Sequence, residues 1–258
     1  MKNFAFGDSL AAAWELMFDW KLPRFLAARR QGAGGDWTML LAVLLGAAAG
    51  LLLFAVGMVA RMIFAPLGAA LVFALIALFF LEAKDSGRGS GMLLQLVPLA
   101  LKRQPVVAAL PYLEPLSFTA LRDGAGRLEA AILLGFKFCA LVYLGYKGAW
   151  MWMVAVCSLA FAVQIYLATL PELHGGHPLV HPSFPPESVW IVGIFPVLFV
   201  ALRYPSAALL GIAAAGVLAV MARRAYVQVC GGVTGEMVSL AGSLAEVLLL
   251  LAGILMIG

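Results

Sequence analysis

Residues 231–246, GGVTGEMVSLAGSLAE, stand directly before a closing run at 247–258 that contains only apolar residues and glycine. Apolar runs that can cross the roughly 30 Å of hydrocarbon in a bilayer recur along the chain. Their apolar residues do not alternate with polar ones, which indicates helices rather than the strands of a membrane barrel. The sequence therefore predicts an all-α protein, a polytopic transmembrane helical bundle.

The composition also indicates an integral membrane protein. Of the 258 residues, 64% are hydrophobic and only 12% are charged, and the mean hydropathy is +1.02. These values lie far from those of a soluble domain. Because two of the predicted spans are short, we expect six or seven membrane helices. The predicted spans are 37–60, 65–82, 128–147, 149–170, 188–203, 205–222 and 237–257.

The remaining segments lie before and between these spans. Residues 1–36 place charged residues among apolar ones, which is typical of an amphipathic interfacial segment and not of a cleaved leader. Residues 37–258 form the predicted transmembrane domain. Within it, residues 83–127 make a long connection whose apolar runs are too short to span and are interrupted by prolines. We expect this connection to be cytoplasmic or re-entrant.

Lysine and arginine are concentrated near the ends of the spans. If the amino terminus is cytoplasmic, most of these cations lie on the cytoplasmic side, as the positive-inside rule requires. The same orientation gathers the polar, glycine-rich stretches on the cytoplasmic face. The net charge of +4 thus indicates membrane topology and contact with anionic lipid rather than nucleic acid.

Carboxylates at the borders of the spans are the first candidates for chemistry, because acidic residues near membrane depth are costly. Glu82 and Asp85 are three residues apart, so they can share a helix face and bind a hard cation such as Mg²⁺. They can equally mark the point where the helix leaves the lipid. The carboxylates that border later spans include Asp123, Glu236 and Glu246.

Two basic features have alternative interpretations. The stretch RDGAGRLE, residues 122–129, can clamp phosphate with its arginines at a helix start, or can be an Asp-Gly turn before a helix. Lys137 lies about two turns inside an apolar run, where it either has a buried functional or paired role or snorkels to the interface.

The histidines and cysteines give weaker signals. His174, His177 and His181 are spaced by three and four residues, but the glycines and prolines among them favour a loop of ordinary histidines over a metal site. The three cysteines follow no metal spacing and imply no disulfide framework. No dinucleotide fingerprint, Walker loop or Ser/His/Asp signature is present.

The closing segment resembles that of the cobalamin synthase family, the membrane-bound adenosylcobinamide-GDP ribazoletransferases. Members of that family end with a Gly-Gly-x-Thr-Gly-Asp motif, two further glutamates and a hydrophobic tail. In this chain Glu236 stands at the Asp position and Ser243 replaces one of the two glutamates. The residues that match are Gly231, Gly232, Thr234, Gly235 and Glu246.

Earlier stretches are similar to further motifs of the family in the same order. FDWKLP at 18–23 is similar to the entry Phe-x-Thr-Arg-Leu-Pro, with Lys21 at the basic position. FLEAKDSGRG at 80–89 is similar to His-Leu-Asp-Gly-Leu-Ala-Asp-x-x-Asp-Gly through Leu81, Glu82 and Asp85, although the His and one Asp are missing.

The stretch LRDGAGRLEAAILLGFKF at 121–138 is similar to the family's Met-Lys-Asp-Ser-Arg-x-Gly segment and to the helix that follows it. The matching residues here are Arg122, Asp123, Gly126 and Lys137. The resemblance thus runs in order along nearly the whole chain.

The resemblance implies a transferase. The ribazole hydroxyl attacks the diphosphate of adenosylcobinamide-GDP, GMP leaves, and the lower nucleotide loop of cobalamin is completed. It implies adenosylcobinamide-GDP and α-ribazole, or its phosphate, as substrates, Mg²⁺ as cofactor, and a multi-pass position in the cell inner (cytoplasmic) membrane. The implied catalytic residues are Glu82, Asp85, Asp123 and Lys137; the substrate-binding residues Lys21, Arg122, Gly231, Gly232, Thr234 and Gly235; and the metal ligands Glu82, Asp85, Asp123, Glu236 and Glu246.

Other functions stay open. The loss of the His and acidic residues after Leu81 motivates a non-catalytic relative that binds a corrinoid or scaffolds neighbouring enzymes. A small-solute transporter is a third hypothesis, since Lys137 and the glycine-rich helices suit a polar path through the bundle. Glu236 and Glu246 can also be acids at a helix start, which the helix dipole favours. A homo-oligomer is compatible with the sequence.

Overall fold

A computed structural model describes residues 4–18, 37–84, 86–101, 105–112, 127–173, 178–180 and 184–257. Within these ranges the chain is helical and contains no strand beyond two isolated bridges. The prediction of an all-α protein is therefore confirmed. The main helices are α1 (Phe4–Met17), α2 (Thr38–Ile63), α3 (Pro66–Ala83), α4 (Arg88–Leu101), α5 (Arg127–Tyr146), α6 (Trp152–Ala168), α7 (Ser188–Ala201), α8 (Pro205–Ala225) and α9 (Gly235–Ile257).

The number of long apolar helices differs from the prediction. In the described part of the chain four helices are long and apolar enough to cross a membrane, fewer than the six or seven expected. At a rise of 1.5 Å per residue, the 17 residues of α6 extend only about 25 Å. The four long segments are Thr38–Ile63, Pro66–Ala83, Pro205–Cys230 and Gly235–Ile257, and the shorter apolar ones are Ala131–Tyr146, Trp152–Ala168 and Ser188–Ala201.

Helix α6 lies at the centre of the bundle. All of its residues are buried, and α2, α7, α8 and α9 pack around it. A helix that is apolar on every side must be covered on every side, and here other helices provide that cover. Helix α3 packs between α2 and α5. The α6 helix therefore sets the positions of the surrounding helices.

Glycines on the surrounding helices allow close approach to α6. A Cβ atom at Gly50 of α2 would lie 2.5 Å from the Cα atom of Val154. A Cβ atom at Gly242 of α9 would overlap the side-chain amide of Gln164. Small residues let helix backbones approach closely and pack by van der Waals contact, which drives helix association in membranes. Other glycines that face α6 at close range are Gly46, Gly193 and Gly253.

Two segments that the sequence set apart from the spans contribute helices to the bundle. Helix α1, within the predicted interfacial segment 1–36, packs against α2 and buries Ser9, Ala11 and Ala13. Helix α4, within the connection 83–127, packs against α9 and α5 and buries Ser90 and Met92. Residues 19–36, 102–104 and 113–126 lie outside the described residues.

Replacing Gly50 tests the close packing of α2 on α6. Because a Cβ atom there would meet backbone atoms of α6, Gly50→Ala is expected to lower the free energy of unfolding by about 1–3 kcal/mol. Denaturant titration of the purified protein in detergent measures this change. The matched control is Gly216→Ala in α8, where no heavy atom lies within 4 Å of the added methyl group. Equal losses in the two variants would contradict the packing.

Candidate functional site

Four charged side chains are buried together where α3, α5 and α9 meet. Glu82 lies near the end of α3, Lys84 directly after it, Lys137 in the middle of α5 and Glu246 in the middle of α9. Their exposed fractions are 7%, 1%, 0% and 0%. We call these four residues the charge cluster. Such complete burial of charged groups is rare unless the groups are paired.

Lys137 joins the cluster through all three of its N–H donors. Its Nζ donates to Glu82 Oε1 at 2.6 Å, to Ser90 Oγ at 3.1 Å and to Glu246 Oε2 at 3.2 Å. Ser90 Oγ in turn donates to Glu82 Oε1 at 3.0 Å. Lys137 thus connects α3, α4, α5 and α9 from a position that does not reach the surface.

Lys84 completes the balance of charge. Its ammonium pairs with Glu246 Oε1 and lies 5.0 Å from the ring centroid of Phe161 on α6. Two ammonium groups and two carboxylates therefore neutralise each other in the cluster. Removing one partner from such a set leaves an uncompensated buried charge, which is strongly destabilising.

A tight turn after α3 brings Ser90 back to Glu82. Ser86 and Gly87 have positive φ angles of 54° and 71°, and the Gly87 N–H donates to the Glu82 carbonyl oxygen at 2.7 Å. A Cβ atom at Gly89 would overlap the Ser239 carbonyl oxygen and Ser243 Oγ. The start of α4 therefore lies directly against α9.

The GGVTGE motif forms the entry to α9. Gly231 has a φ of 79°, a conformation that favours glycine. Val233 exchanges backbone hydrogen bonds with the segment 171–173: its N–H donates to the Pro171 carbonyl oxygen and its carbonyl oxygen accepts from Leu173, both at 2.9 Å. Thr234 Oγ1 accepts the Met237 N–H at 3.3 Å, in the manner of a helix cap.

A cavity of about 210 Å³ lies beside the charge cluster, between α1, α4, α6 and α9. Lys84 belongs to both the cluster and the cavity. Arg88 and Gly235, the first residues of α4 and α9, also line it. The start of a helix carries unpaired N–H groups and a partial positive charge, so the two helix starts add positive potential to this cavity, whereas the charge of Lys84 is balanced by Glu246. Its other polar lining residues are Glu15, Gln164 and Ser239.

The predicted site residues fall into three groups. Glu82 and Glu246 both contact Lys137 in the charge cluster. The residues of the GGVTGE motif lie at the entry to α9, where Gly235 reaches the cavity. The predicted residues outside the described part of the chain are Lys21, Asp85, Arg122 and Asp123, and the histidines His174, His177 and His181.

Three participants were not among the predicted site residues. Lys84 and Ser90 flank Glu82 in the sequence, but only the turn between α3 and α4 shows that both face the cluster. Gln164 could have been found from the sequence. It is an amide within the apolar run 149–170, and a polar residue in such a run needs an explanation.

The described carboxylates do not fit a shared Mg²⁺ ion. Glu82 and Glu246 approach the same ammonium group, that of Lys137, and together with Lys84 this lysine already neutralises both carboxylates. Glu236 lies in the first turn of α9, about 15 Å from Glu246 along the helix axis. Among the described residues, no group of three or more His, Cys, Asp or Glu residues is placed to hold a metal ion.

Comparisons with protein-family models, with curated proteins and with solved structures found no match to the chain.

Removing the Lys137 ammonium tests whether the stability of the protein depends on the balance of charge in the cluster. Lys137→Met leaves two buried carboxylates with one cation, so the free energy of unfolding is expected to fall by about 3–5 kcal/mol. Lys147→Met is the matched control, because Lys147 is exposed just beyond the same helix and its loss is expected to cost about 1 kcal/mol or less. Similar losses for both variants in a denaturant titration would contradict the pairing.

Proposed function

We propose that the protein is a membrane-embedded transferase that joins α-ribazole, or its phosphate, to adenosylcobinamide-GDP with release of GMP. The observation that carries this proposal is the contact between Glu82, Lys137 and Glu246. Their charge at membrane depth and the resemblance both singled out these residues, which come from three distant stretches of the chain. Apolar packing alone does not require them to meet, and they meet beside a cavity that the GGVTGE motif also reaches.

The charges around the cavity suit a displacement at a diphosphate. In such a reaction the oxygen of the ribazole hydroxyl forms a bond to the phosphorus next to cobinamide and its proton passes to solvent, while the bond from that phosphorus to GMP breaks and the GMP phosphate takes the electron pair. Catalysis then consists mainly of positioning and of stabilising negative charge. Arg88 and the start of α9 lie on the cavity wall, where they would contribute positive charge, whereas Lys84 is already paired with Glu246.

A bound Mg²⁺ ion would add charge neutralisation at the diphosphate. Since Glu82 and Glu246 are paired with ammonium groups, the carboxylates left to hold it are those of Asp85, Asp123 and Glu236. For that reason the charge cluster is better explained as a positioning element, which fixes Lys84 against the cavity through its pairing with Glu246.

We also propose that the apolar segments Ala131–Tyr146, Trp152–Ala168 and Ser188–Ala201 lie within the bilayer together with the four long helices. Because neighbouring helices surround α6, its length does not have to match the thickness of the bilayer. Arg223 and Arg224 end α8 just before the GGVTGE motif. The positive-inside rule then favours a cytoplasmic position in the cell inner membrane for this end of the bundle.

The pairing of every charge in the cluster favours one alternative function. If Glu82 and Glu246 serve only to hold helices together, the protein is a non-catalytic relative that binds a corrinoid or scaffolds neighbouring enzymes. Such a protein would keep its biological effect when the polar residues of the cavity are replaced.

A genetic complementation experiment distinguishes the transferase from the non-catalytic relative. Expressed in a bacterium that lacks its own cobalamin synthase, the protein is expected to support cobalamin-dependent growth on cobinamide. Arg88→Gln, which removes a cation from the cavity wall, is expected to slow that growth at least tenfold. Glu187→Gln, an exposed change before α7, is the control and should grow like the unchanged protein. Absence of growth despite folded protein in the membrane would contradict the transferase.

A further inference from the structure

An open apolar groove follows the surface of the bundle between α3 and α5. Leu67 and Leu71, near the start of α3, form one side of it, and residues of the second half of α5, from Phe138 to Tyr146, form the other. Its volume of about 420 Å³ lies within the roughly 300–1,000 Å³ of sites that bind small molecules. The lining is apolar except for two tyrosine hydroxyls and one thiol, so the groove suits a hydrocarbon occupant.

The length of the groove matches one leaflet of a bilayer. The eight-residue interval between Phe138 and Tyr146 corresponds to about 12 Å along the axis of α5. One leaflet contributes half of the roughly 30 Å of hydrocarbon, which is about 15 Å. Because Tyr146 is the last residue of α5, the groove extends inward from the helix end to a depth that a single acyl chain reaches.

A cation lies at the outer end of the groove. Lys147 directly follows Tyr146 and is exposed, and its Nζ lies 5.6 Å from the ring centroid of Tyr143. The ring contact orients the ammonium beside the groove but does not neutralise its charge. In the described part of the chain no carboxylate pairs with Lys147, so its ammonium is available to an anion.

The whole of this end of the bundle is rich in cations and poor in acids. A Cβ atom at Gly57 would meet Trp150, and one at Gly211 would meet Trp152, so α2, α5 and α7 all end here. The connections at this end, 64–65, 147–151 and 202–204, contain no Asp or Glu. Such a surface attracts lipids of net negative charge. Its cations include Arg61, Lys147 and Arg203.

We propose that the groove binds an anionic phospholipid of the bilayer. One acyl chain lies between α3 and α5, and the phosphate lies against Lys147 Nζ. Tyr143 and Tyr146 then stand where the head group meets the chain, the level that tyrosines favour in membranes. The inference rests on the proposed position of α5 within the bilayer but not on the transferase activity, and it places the lipid at the end of the bundle opposite the GGVTGE motif.

Cys139 reports whether the groove is filled, because it lines the groove and is exposed. The intact protein in neutral detergent receives increasing fractions of dioleoylphosphatidylglycerol or dioleoylphosphatidylcholine, and peptide mass spectrometry follows alkylation by N-ethylmaleimide. We expect phosphatidylglycerol to halve the alkylation rate of Cys139 at a fraction about fivefold lower than phosphatidylcholine requires, the usual effect of one lysine near an anionic lipid. The rate at Cys230, outside the groove, should stay unchanged.

Replacing Lys147 tests its contact with the phosphate. Lys147→Gln should raise the required fraction of phosphatidylglycerol to that of phosphatidylcholine and leave the phosphatidylcholine value unchanged. Arg203→Gln is the matched control. Arg203 is also exposed at this end and lies 5.5 Å from the ring of Tyr204, but it does not border the groove, so the fivefold preference should persist.

Filling the groove tests the position of the acyl chain. Leu71→Trp places a larger side chain in the groove, so alkylation of Cys139 should be slow without lipid and insensitive to both lipids. Leu75→Trp is the matched control, because Leu75 lies one turn further along α3, is 59% exposed and does not line the groove. This variant should respond to both lipids like the unchanged protein, and in both variants the Cys230 rate should be that of the folded chain.

The outcomes distinguish the lipid site from other occupants and from the proposed function. Equal protection by the two lipids, or a preference that survives Lys147→Gln, would overturn the site. Protection of Cys139 that rises with protein concentration without added lipid would also overturn it, since the occupant would then be a second copy of the chain. The expected preference would support the site even if complementation fails, and its absence would leave the complementation result unaffected.

Discussion

The fold and the candidate site depend on one constraint, the burial of the Lys137 ammonium among α3, α4, α5 and α9. An ammonium group at that depth is tolerated only if its donors and its charge are satisfied. Glu82, Ser90 and Glu246 satisfy them from three other helices. The helices are therefore held in one register, because a shift of any of them would expose an uncompensated charge.

The second constraint on the fold is the close packing of the surrounding helices against α6. Glycines such as Gly50 and Gly242 bring the surrounding helices near enough to bury every residue of α6. This proximity also places Gln164 and Phe161 of α6 beside Lys84. The cavity thus arises where the charge cluster and the central helix meet, with the starts of α4 and α9 at its wall.

Hydropathy predicted the helices well because long apolar runs in a membrane can satisfy their backbones only as helices. In the described part of the chain only four helices are long and apolar enough to cross a membrane alone, and an apolar helix that its neighbours bury, such as α6, has the same hydropathy pattern as one exposed to lipid. The motif comparison selected Glu82, Lys137 and Glu246, which do meet. It could not select Lys84, Ser90 and Gln164, since their positions follow from the turn after α3 and from helix packing.

A double-mutant cycle between Lys137 and Glu82 tests the central claim most directly. Lys137→Met, Glu82→Gln and the double variant are compared with the unchanged protein by their free energies of unfolding in detergent. In the double variant the Lys84–Glu246 pair remains balanced, so we predict that it is more stable than Lys137→Met alone, with a coupling energy of about 1–3 kcal/mol. Strictly additive losses would contradict the claim that these buried charges hold the helices together.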